Sequence, residues 1–341
     1  MGSTIAARSI EEAEAAGAAH LGEAASARRP LVLRGAVASW PAVRAGRESP
    51  AALAAYLARF DKGREVDAIR LPPSARGRIF YNEDMSGFNF TREKMSVSQA
   101  VERAMKNGRF GNSPALAVQS APIPDCLPGF AAENVLELVD AAVVPRIWIG
   151  NAVVTPAHFD ESSNIACVVA GRRRFTLLPP EQIANLYIGP LGNAPTGTPI
   201  SLVSFREPDF ERFPRFREAL EHAYTAEMEP GDAIFIPPLW WHHVESLDPL
   251  NMLVNYWWKG SPAKPAQLPS ALDGLLHAML SLRALGPGER EAWRAIFEYY
   301  VFGDGDAASA HIPEARRGVL GDMSPEYRKS VRDFLVEQLK R

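Results

Sequence analysis

The sequence is poor in cysteine, carries almost no excess charge and contains no long apolar run. Its two cysteines, Cys126 and Cys167, are too few for a disulfide framework or a thiolate zinc site, which favours a reducing compartment. The 37 Lys and Arg against 40 Asp and Glu leave a net charge of −3, which argues against nucleic-acid binding by bulk charge. No stretch approaches the ~20 apolar residues of a membrane span, and the acidic start lacks the apolar core of a signal peptide. We therefore expect a cytoplasmic protein without a membrane segment.

The periodicity of apolar residues divides the 341-residue chain into three segments. We expect residues 1–115 to form a helical and mixed segment that packs on a barrel, residues 116–260 to form the barrel, and residues 261–341 to be helical. In the middle segment, short runs rich in Val, Ile, Phe and Trp alternate with turn clusters, which is typical of an antiparallel sandwich or barrel. Residues 179–226 interrupt these runs as an insert, which is either a lid or binding loop or simple decoration.

Helix signals lie on both sides of the barrel segment. Ser9 with Glu12 matches a capping box and predicts a surface helix from Ser9 to about Ala27, and further helices are expected at 50–60 and after Ser96.

The C-terminal segment predicts helices from Ser270 to Leu285, from there to about Val301, and from Pro325 with Ser324 as N-cap. The last helix places apolar residues on one stripe, which packs either on the barrel or on a second copy of the protein: Tyr327, Val331, Phe334, Leu335 and Leu339.

Two short motifs carry the chemistry. The first, Thr155-Pro-Ala-His158-Phe-Asp160, places an imidazole and a carboxylate on the same side of an extended chain, because side chains alternate with period two. The second is Pro237-Pro-Leu-Trp-Trp-His242-His-Val, in which His242 lies 84 residues after His158. A second imidazole from a facing strand would complete a metal face of two histidines and one carboxylate with about three open positions, as in non-haem Fe(II) oxygenases.

The chain from Asn151 to Pro180, together with Pro230 to Lys259, resembles the JmjC-type cupins. The likeness is to the cupin-like branch that includes the asparaginyl hydroxylase acting on hypoxia-inducible factor, and it spans roughly Arg29 to Leu285. This resemblance implies a mainly β double-stranded β-helix of the jelly-roll type with flanking helices, Fe(II) as metal and 2-oxoglutarate as cosubstrate. The implied reaction uses O2 to convert 2-oxoglutarate to succinate and CO2 while a second substrate is hydroxylated or demethylated. A homodimer through the C-terminal helices is also implied.

The family pattern implies His158, Asp160 and His242 as iron ligands. His243 is a rival to His242, but adjacent strand residues face opposite ways, so only one of the two reaches the metal. In the family the ligand is followed by one residue and then a β-branched aliphatic, here Val244, which favours His242.

Thr155 and Arg173 match the family's threonine and basic residue that hold the far carboxylate of 2-oxoglutarate. The family's nearby tyrosine is replaced by Ala117, a departure from the pattern. A guanidinium can bind a carboxylate through two parallel N–H donors, so our hypothesis is that Arg173 anchors the cosubstrate with the help of Thr155.

Two further residues match positions that the family places around the cosubstrate, and a third lies on the same face as one of them. Asn164 and Asn255 correspond to amides beside the cosubstrate and the oxygen site, with structural hydrogen bonding as the alternative. Trp257 shares the face of Asn255 and either walls the pocket or packs in the core.

The substrate is the least specified part of the prediction. Residues 198–203 are mostly apolar where the asparaginyl hydroxylase branch has polar residues that hold the target side chain, which puts asparaginyl hydroxylation in doubt. We expect a protein side chain, a peptide, a modified nucleoside or a free small molecule as substrate, and the near-neutral charge does not indicate binding to a nucleic acid. The alternative function is a metal-binding cupin, a small-ligand module without oxygenase activity. A structural dimer with a decayed site is a third interpretation.

Overall fold

The computed structural model describes residues 7–14, 18–108, 112–261, 264–265 and 270–340. It divides the chain into two compact units, residues 1–268 and 269–341. The strands that it describes are β1 (Arg8–Ser9), β2 (Glu11–Glu14), β3 (Leu31–Arg34), β4 (Val66–Leu71), β5 (Thr91–Met95), β6 (Ala115–Pro122), β7 (Arg146–Gly150), β8 (Val154–His158), β9 (Ser163–Ala170), β10 (Arg173–Leu178), β11 (Tyr224–Met228), β12 (Ala233–Ile236), β13 (Trp241–Ser246), β14 (Asn251–Trp258), β15 (Gly260–Ser261) and β16 (Lys264–Pro265).

The helices are α1 (Ala18–Ser26), α2 (Pro41–Glu48), α3 (Pro50–Ala58), α4 (Val97–Asn107), α5 (Ile123–Cys126), α6 (Phe130–Glu133), α7 (Phe216–Glu221), α8 (Ala271–Leu282), α9 (Pro287–Phe297), α10 (Gly305–Ser309) and α11 (Pro325–Leu339). Short 3₁₀ turns span Pro73–Ala75, Pro180–Asn185, Glu314–Arg316 and Gly318–Leu320, and a π-helical turn spans Glu298–Phe302. In the described part of the chain, no helix is both long and apolar enough to cross a membrane.

Two sheets form the barrel. The large sheet has the order β2-β3-β12-β9-β14-β7-β6-β4-β5, and the small sheet has the order β1-β11-β10-β13-β8. Apolar side chains from both sheets meet between them, including Phe175, Met228 and Val244 of the small sheet and Val168, Ile234 and Leu253 of the large one. The expected mainly β jelly-roll architecture with flanking helices is confirmed.

Period-two alternation decides which side chains enter the barrel. On β10, Phe175 and Leu177 face the core between the sheets, while Leu178 packs on the outer side. The outer side of the small sheet is covered by the insert, whose Val203 and Phe216 pack in the same cluster as Leu178. Helices α2, α3 and α4 contribute to a separate core with the outer side of the large sheet.

The predicted helix from Ser9 is wrong for the part before residue 15. Arg8 and Ser9 pair in parallel with β11, and Glu11–Glu14 pairs in parallel with β3, so these residues extend the two sheets. Glu12 also accepts hydrogen bonds from Arg34 at 2.6 and 3.0 Å. Long-range strand pairing overrides the local capping signal, and the helix begins only at Ala18.

The other predicted helices are present, with small differences at their ends. The Ser96 hydroxyl caps α4 as part of a capping box with Gln99. In the C-terminal unit, the Ser324 hydroxyl accepts the Tyr327 N–H at 3.2 Å and caps α11. The three-segment division of the chain at residues 115 and 260 stays a prediction.

Candidate metal centre

The two histidines and the aspartate of the sequence motifs converge in the barrel. One ligand atom from each of His158, Asp160 and His242 lies within 4.8 Å of the others. His158 and His242 pair across β8 and β13 with ring centroids 4.1 Å apart, and His242 Nε2 lies 3.6 Å from Asp160 Oδ2. Within the described residues this is the one group of three or more His, Cys, Asp or Glu side chains that could hold a metal ion.

A bulge in β8 brings Thr155 and His158 to the same cavity. His242 lies opposite His158 and Val244 lies opposite Thr155, so β8 has two residues, beginning with Pro156, where β13 has one. Strict alternation would turn residues 155 and 158 to opposite faces, and the extra residue restores a common side. Proline is compatible with this position because an N–H is not required for the ladder at a bulge.

Both histidines present Nε2 to the centre of the cluster. His158 Nδ1 lies 2.9 Å from the Pro156 carbonyl, and His242 Nδ1 lies 3.0 Å from the Trp240 carbonyl. A carbonyl oxygen can only accept, so each Nδ1 carries the proton and donates. The lone pair of each neutral imidazole is therefore on Nε2, the arrangement that a metal ligand needs.

Asp160 is held from two directions. The Trp257 indole N–H donates to Asp160 Oδ2 at 3.0 Å, and Asn164 Nδ2 lies 3.5 Å from the same oxygen. The Asp160 carbonyl accepts the backbone N–H of Leu239, a residue with the left-handed φ of 67° in the turn before His242. Such strain in a non-glycine residue persists only where its surroundings impose it, and here the turn joins the two motifs of the cluster.

Burial keeps His158 uncharged. Desolvation, followed by the neighbouring His242 imidazole, lowers the pKa of His158 to about 4, although Asp160 acts in the opposite direction. The imidazole is therefore neutral at pH 7 without a metal, and a metal ion need not displace a proton from it.

All eight predicted site residues line one cavity of about 410 Å³, together with the apolar Phe175, Ile236 and Leu253. The eight are His158, Asp160, His242, Thr155, Asn164, Arg173, Asn255 and Trp257. The structure thus brings together residues from β8, β9, β10, β13 and β14, which are up to 102 positions apart in the sequence.

Arg173 is a buried cation without a counter-ion. The side chain is 9% exposed and its Nε has no hydrogen-bond partner, and within the described residues no carboxylate pairs with its guanidinium. Burial lowers the pKa of Arg173 to about 10, which still leaves it charged at pH 7. Its neighbours face outward, where Arg172 pairs with Asp248 at 3.0 Å and Arg174 with Glu227 at 2.5 Å. Because buried charges are normally paired, Arg173 fits an anionic ligand of the cavity.

The two asparagines hydrogen-bond to each other and also line the cavity. Asn255 Nδ2 donates to Asn164 Oδ1 at 2.7 Å, while Asn255 Oδ1 has no partner in the described structure. The structural hydrogen bond is therefore present, and a role beside the cosubstrate stays a prediction. The hydrogen bond between the two amides orients the pair. The side-chain oxygen of Asn255, Oδ1, can accept a hydrogen bond from a bound molecule.

Ala117 lines a small adjoining cavity with Thr155 and Arg173, so the departure from the family pattern lies beside the expected anchor. Trp148 lines both cavities, and its buried indole N–H has no partner. Trp148 was not singled out in the sequence. The signal was available in the alternation of β7, where Ile147 and Ile149 pack in the outer core and Trp148 faces the barrel.

His243 lies on the other side of β13, as alternation requires. Its ring stacks on Phe205 of the insert, with centroids 4.5 Å apart and planes at 21°. Of the two adjacent histidines, only His242 joins His158 and Asp160.

Comparison with known proteins gives relatives that match part of the chain. HSPB1-associated protein 1 of Homo sapiens is 36% identical over 155 residues, which cover 43% of this chain and 30% of that protein. Lysine-specific demethylase JMJ31 of Arabidopsis thaliana is 34% identical over 34% of the chain and 21% of its own length. Jumonji C domain-containing protein 5 of Drosophila melanogaster is 29% identical over 52% of the chain and 41% of its own length. The chain thus spans less than half the length of these relatives.

The model of the cupin-like domain family matches residues 18–264, which is more than half of the chain. The matched region contains the insert, all eight residues of the cavity and every strand of the two sheets except β1 and β2. The protein belongs to the cupin-like, JmjC-type domain family.

Proposed function

We propose that this protein is an Fe(II)- and 2-oxoglutarate-dependent oxygenase that hydroxylates a protein side chain or a small molecule. The JmjC cupin-like family includes Fe(II)/2-oxoglutarate oxygenases and demethylases. The observation that carries the proposal is that an unpaired buried cation, Arg173, lines the same cavity as a cluster of two histidines and one carboxylate.

The donor set fits a ferrous ion. His158 and His242 would bind it through Nε2 and Asp160 through a carboxylate oxygen, and a set of two imidazoles and one carboxylate leaves positions for other ligands. Bound iron would supply O2 activation, with 2-oxoglutarate as the source of two electrons. The carbonyls of Pro156 and Trp240 and the indole of Trp257 orient the three ligands.

The cavity fits a dicarboxylate. Arg173 would bind the far carboxylate through two N–H groups, and Thr155 would add its hydroxyl. The indole N–H of Trp148, which lines the space beside Ala117, is a further donor at the place where the family has a tyrosine. An incoming anion would thereby satisfy donors that the protein itself leaves unpaired.

The remaining wall of the cavity is apolar. Phe175, Ile236 and Leu253 line it, and they keep water away from the reacting atoms and strengthen each electrostatic contact inside. The overall reaction is that of 2-oxoglutarate, O2 and a C–H substrate giving succinate, CO2 and the hydroxylated product.

The insert argues against an asparagine side chain as the target. Ile200, Ser201 and Val203 are buried, and the Ser201 hydroxyl is already used, since it donates to the Leu186 carbonyl at 2.6 Å and accepts the Val203 N–H at 3.1 Å. Ile200–Val203 therefore offers no free side-chain amide or hydroxyl to hold a substrate amide, and in residues 198–203 only the buried Thr198 hydroxyl is unpaired within the described structure. Another protein side chain or a small molecule fits the proposal better.

The proposal is tested by succinate release. The protein is loaded anaerobically with Fe(II), given 2-oxoglutarate and O2, and assayed for succinate with and without extracts of protein and metabolites; Asp160→Ala is the control. We expect iron-dependent succinate, increased by the extract that contains the substrate, and a substrate mass gain of one oxygen atom. Iron binding without any succinate would instead support a metal-binding cupin without oxygenase activity.

We also propose a homodimer through the C-terminal helices. On α11, Tyr327, Phe334, Leu335 and Leu339 are 42–61% exposed. Only two of the described side chains of residues 270–340, Ala308 and Ser309, are buried, so this unit leaves much apolar surface open to a partner. Light scattering should give a dimer mass that Phe334→Glu reduces to a monomer mass; a monomeric parent chain would contradict the proposal.

The cytoplasm is the location that we propose. Cys126 and Cys167 are both free and buried, and desolvation raises the pKa of the Cys126 thiol to about 11, so neither needs an oxidising compartment. Detection of the native protein in a membrane or secreted fraction would contradict this location.

A further inference from the structure

A second polar cleft lies on the outer side of the small sheet, and we call it the back cleft. It is enclosed by the turn before β5, the insert and β13, and it shares no lining residue with the metal cavity. Its volume is about 680 Å³, which includes space open to solvent. The polar residues that line it are Arg76, Arg78, Ser204, Arg206, Glu207 and His243.

The carboxylates at this cleft are already paired. Glu207 accepts two hydrogen bonds from Arg76 at 2.9 and 3.0 Å, and Glu245 accepts one from Arg206 at 2.5 Å. Within the described residues, Arg78 is left without an ion pair, and the cleft has one positive charge in excess.

Two contacts hold the Arg78 guanidinium in place and leave further N–H groups able to donate. Its guanidinium lies 3.6 Å from the centroid of the Phe80 ring and donates through Nη2 to the Leu202 carbonyl at 3.0 Å. No other hydrogen bond of this guanidinium is found in the described part of the chain. Burial lowers the pKa of Arg78 to about 10, so it remains cationic at pH 7. Stacking on the ring and a bond to the backbone hold the cation in a defined geometry before any ligand arrives.

The buried imidazole of His243 is a second, independent indication that the back cleft binds a ligand. The residue is 3% exposed, and neither of its ring nitrogens has a hydrogen-bond partner among the described residues. The nearest carboxylate oxygen, Oε1 of Glu245, lies 3.7 Å from Nε2, which is beyond hydrogen-bond distance. An imidazole carries at least one N–H in either tautomer, so a buried donor at the cleft is unsatisfied. Stacking on Phe205 holds the ring in this position.

We propose that the back cleft binds a small oxyanion of the phosphate or carboxylate class, held by the Arg78 guanidinium, the His243 imidazole and the Ser204 hydroxyl. The Ser204 oxygen accepts the Glu207 N–H at 3.2 Å, which leaves its own proton free to donate. An oxyanion accepts hydrogen bonds and carries negative charge, so it satisfies the unpaired donors and the excess cation together. The site contains none of the residues of the metal cavity, and it stands whether or not the protein is an oxygenase.

Equilibrium dialysis of the full metal-free chain tests the site, with radiolabelled inorganic phosphate and acetate as separate probes. We expect one saturable site for at least one probe, with the probe that binds identifying the ligand class. Binding should weaken at least about tenfold in Arg78→Met and in His243→Phe, which keeps an aromatic ring against Phe205. Arg92→Met is the matched control, because Arg92 also lies over a phenylalanine ring, 5.7 Å from the Phe90 centroid, but does not line the cleft.

Three results would overturn the site. The first is no saturable binding of either probe, the second is binding that survives Arg78→Met, and the third is binding that is lost in Arg173→Ala, because the anion would then be in the barrel. Melting temperatures of all variants check their folding. If either cleft variant is unstable, Ser204→Ala takes its place, since it removes only a hydroxyl; unchanged affinity in that variant would equally contradict the proposal.

Discussion

The two faces of β13 present the same residue type to different surroundings. On the barrel side, His242 has its Nδ1 proton donated to Trp240 and its Nε2 directed at Asp160. On the outer side, His243 is equally buried, and in the described structure neither of its ring nitrogens forms a hydrogen bond. Burial alone therefore does not make a ligand. A metal site requires an orienting acceptor on one nitrogen and other ligands around the second, and only the barrel side has both.

The largest expected effect separates the two histidines. His242→Ala should weaken Fe(II) binding by about 1,000-fold or more, because it removes one of three ligands. His243→Phe should change Fe(II) affinity far less, because it faces the insert. Anaerobic calorimetric titration with Fe(II) measures both constants. Equal losses in the two variants would mean that the faces do not differ in this way.

The same contrast exists one strand away, between Arg173 inside and Arg174 outside. Arg173→Met should weaken 2-oxoglutarate binding by about 100-fold through loss of two charge-assisted hydrogen bonds. Arg174→Met, which loses only the exposed pair with Glu227, should leave the affinity within about twofold. Removing the unpaired buried charge should also raise the melting temperature of the ligand-free protein. Unaltered 2-oxoglutarate affinity in Arg173→Met would refute the anchor.

Acid should destabilise the metal-free protein through the barrel-side histidine. The pKa of His158 is about 4 in the folded state and about 6.5 when unfolded, so the unfolded chain binds more protons between these values. Stability is therefore lost as pH falls from about 6.5 towards 4, by up to about 1.4 kcal/mol per pH unit from this group. Burial also lowers the pKa of His243, which adds a loss of the same sign.

Urea unfolding at a series of pH values measures this dependence. His158→Gln should reduce the slope of stability against pH between about 4 and 6.5, and a slope unchanged by the substitution would show that the imidazole is not buried in its neutral form.

The smallest predicted effect concerns the orientation of Asp160. Trp257→Phe keeps an aromatic ring in the cavity wall but removes the N–H that donates to Asp160 Oδ2. Fe(II) affinity should fall by about tenfold, the low end of what loss of a bond to a metal ligand costs. Trp148→Phe is the matched control, since its N–H contacts no metal ligand. A larger loss of iron affinity in Trp148→Phe than in Trp257→Phe would contradict this assignment.

The barrel side could be predicted from the sequence because its geometry is local. Alternation along β10 turns Arg173 inward, and the family pattern indicates which residues matter, whereas the bulge that brings Thr155 and His158 of β8 to one side is visible only in the structure. His158, Asp160, Arg173 and Asn255 were all expected, and the structure places them on one cavity. The hydrogen bond from Trp257 to Asp160 could not be predicted, because it depends on how strands of different sheets lie across the barrel.

The outer side could not be predicted in the same way. The back cleft joins Arg78, Ser204 and His243, which are separated by 126 and 39 positions and meet only because the insert folds over the small sheet. The prediction for the segment that forms β1 and β2 was wrong for the same reason. Arg8 pairs with Tyr224 across 216 positions, and no local pattern records such a contact.

The most direct test of the account is a crystal prepared anaerobically with Fe(II) and 2-oxoglutarate, with an anomalous difference map recorded at the iron edge. We predict one iron peak within bonding distance, about 2.0–2.2 Å, of nitrogens of His158 and His242 and an oxygen of Asp160, with the far carboxylate of 2-oxoglutarate on Arg173. An iron peak elsewhere, or 2-oxoglutarate bound away from Arg173, would contradict it.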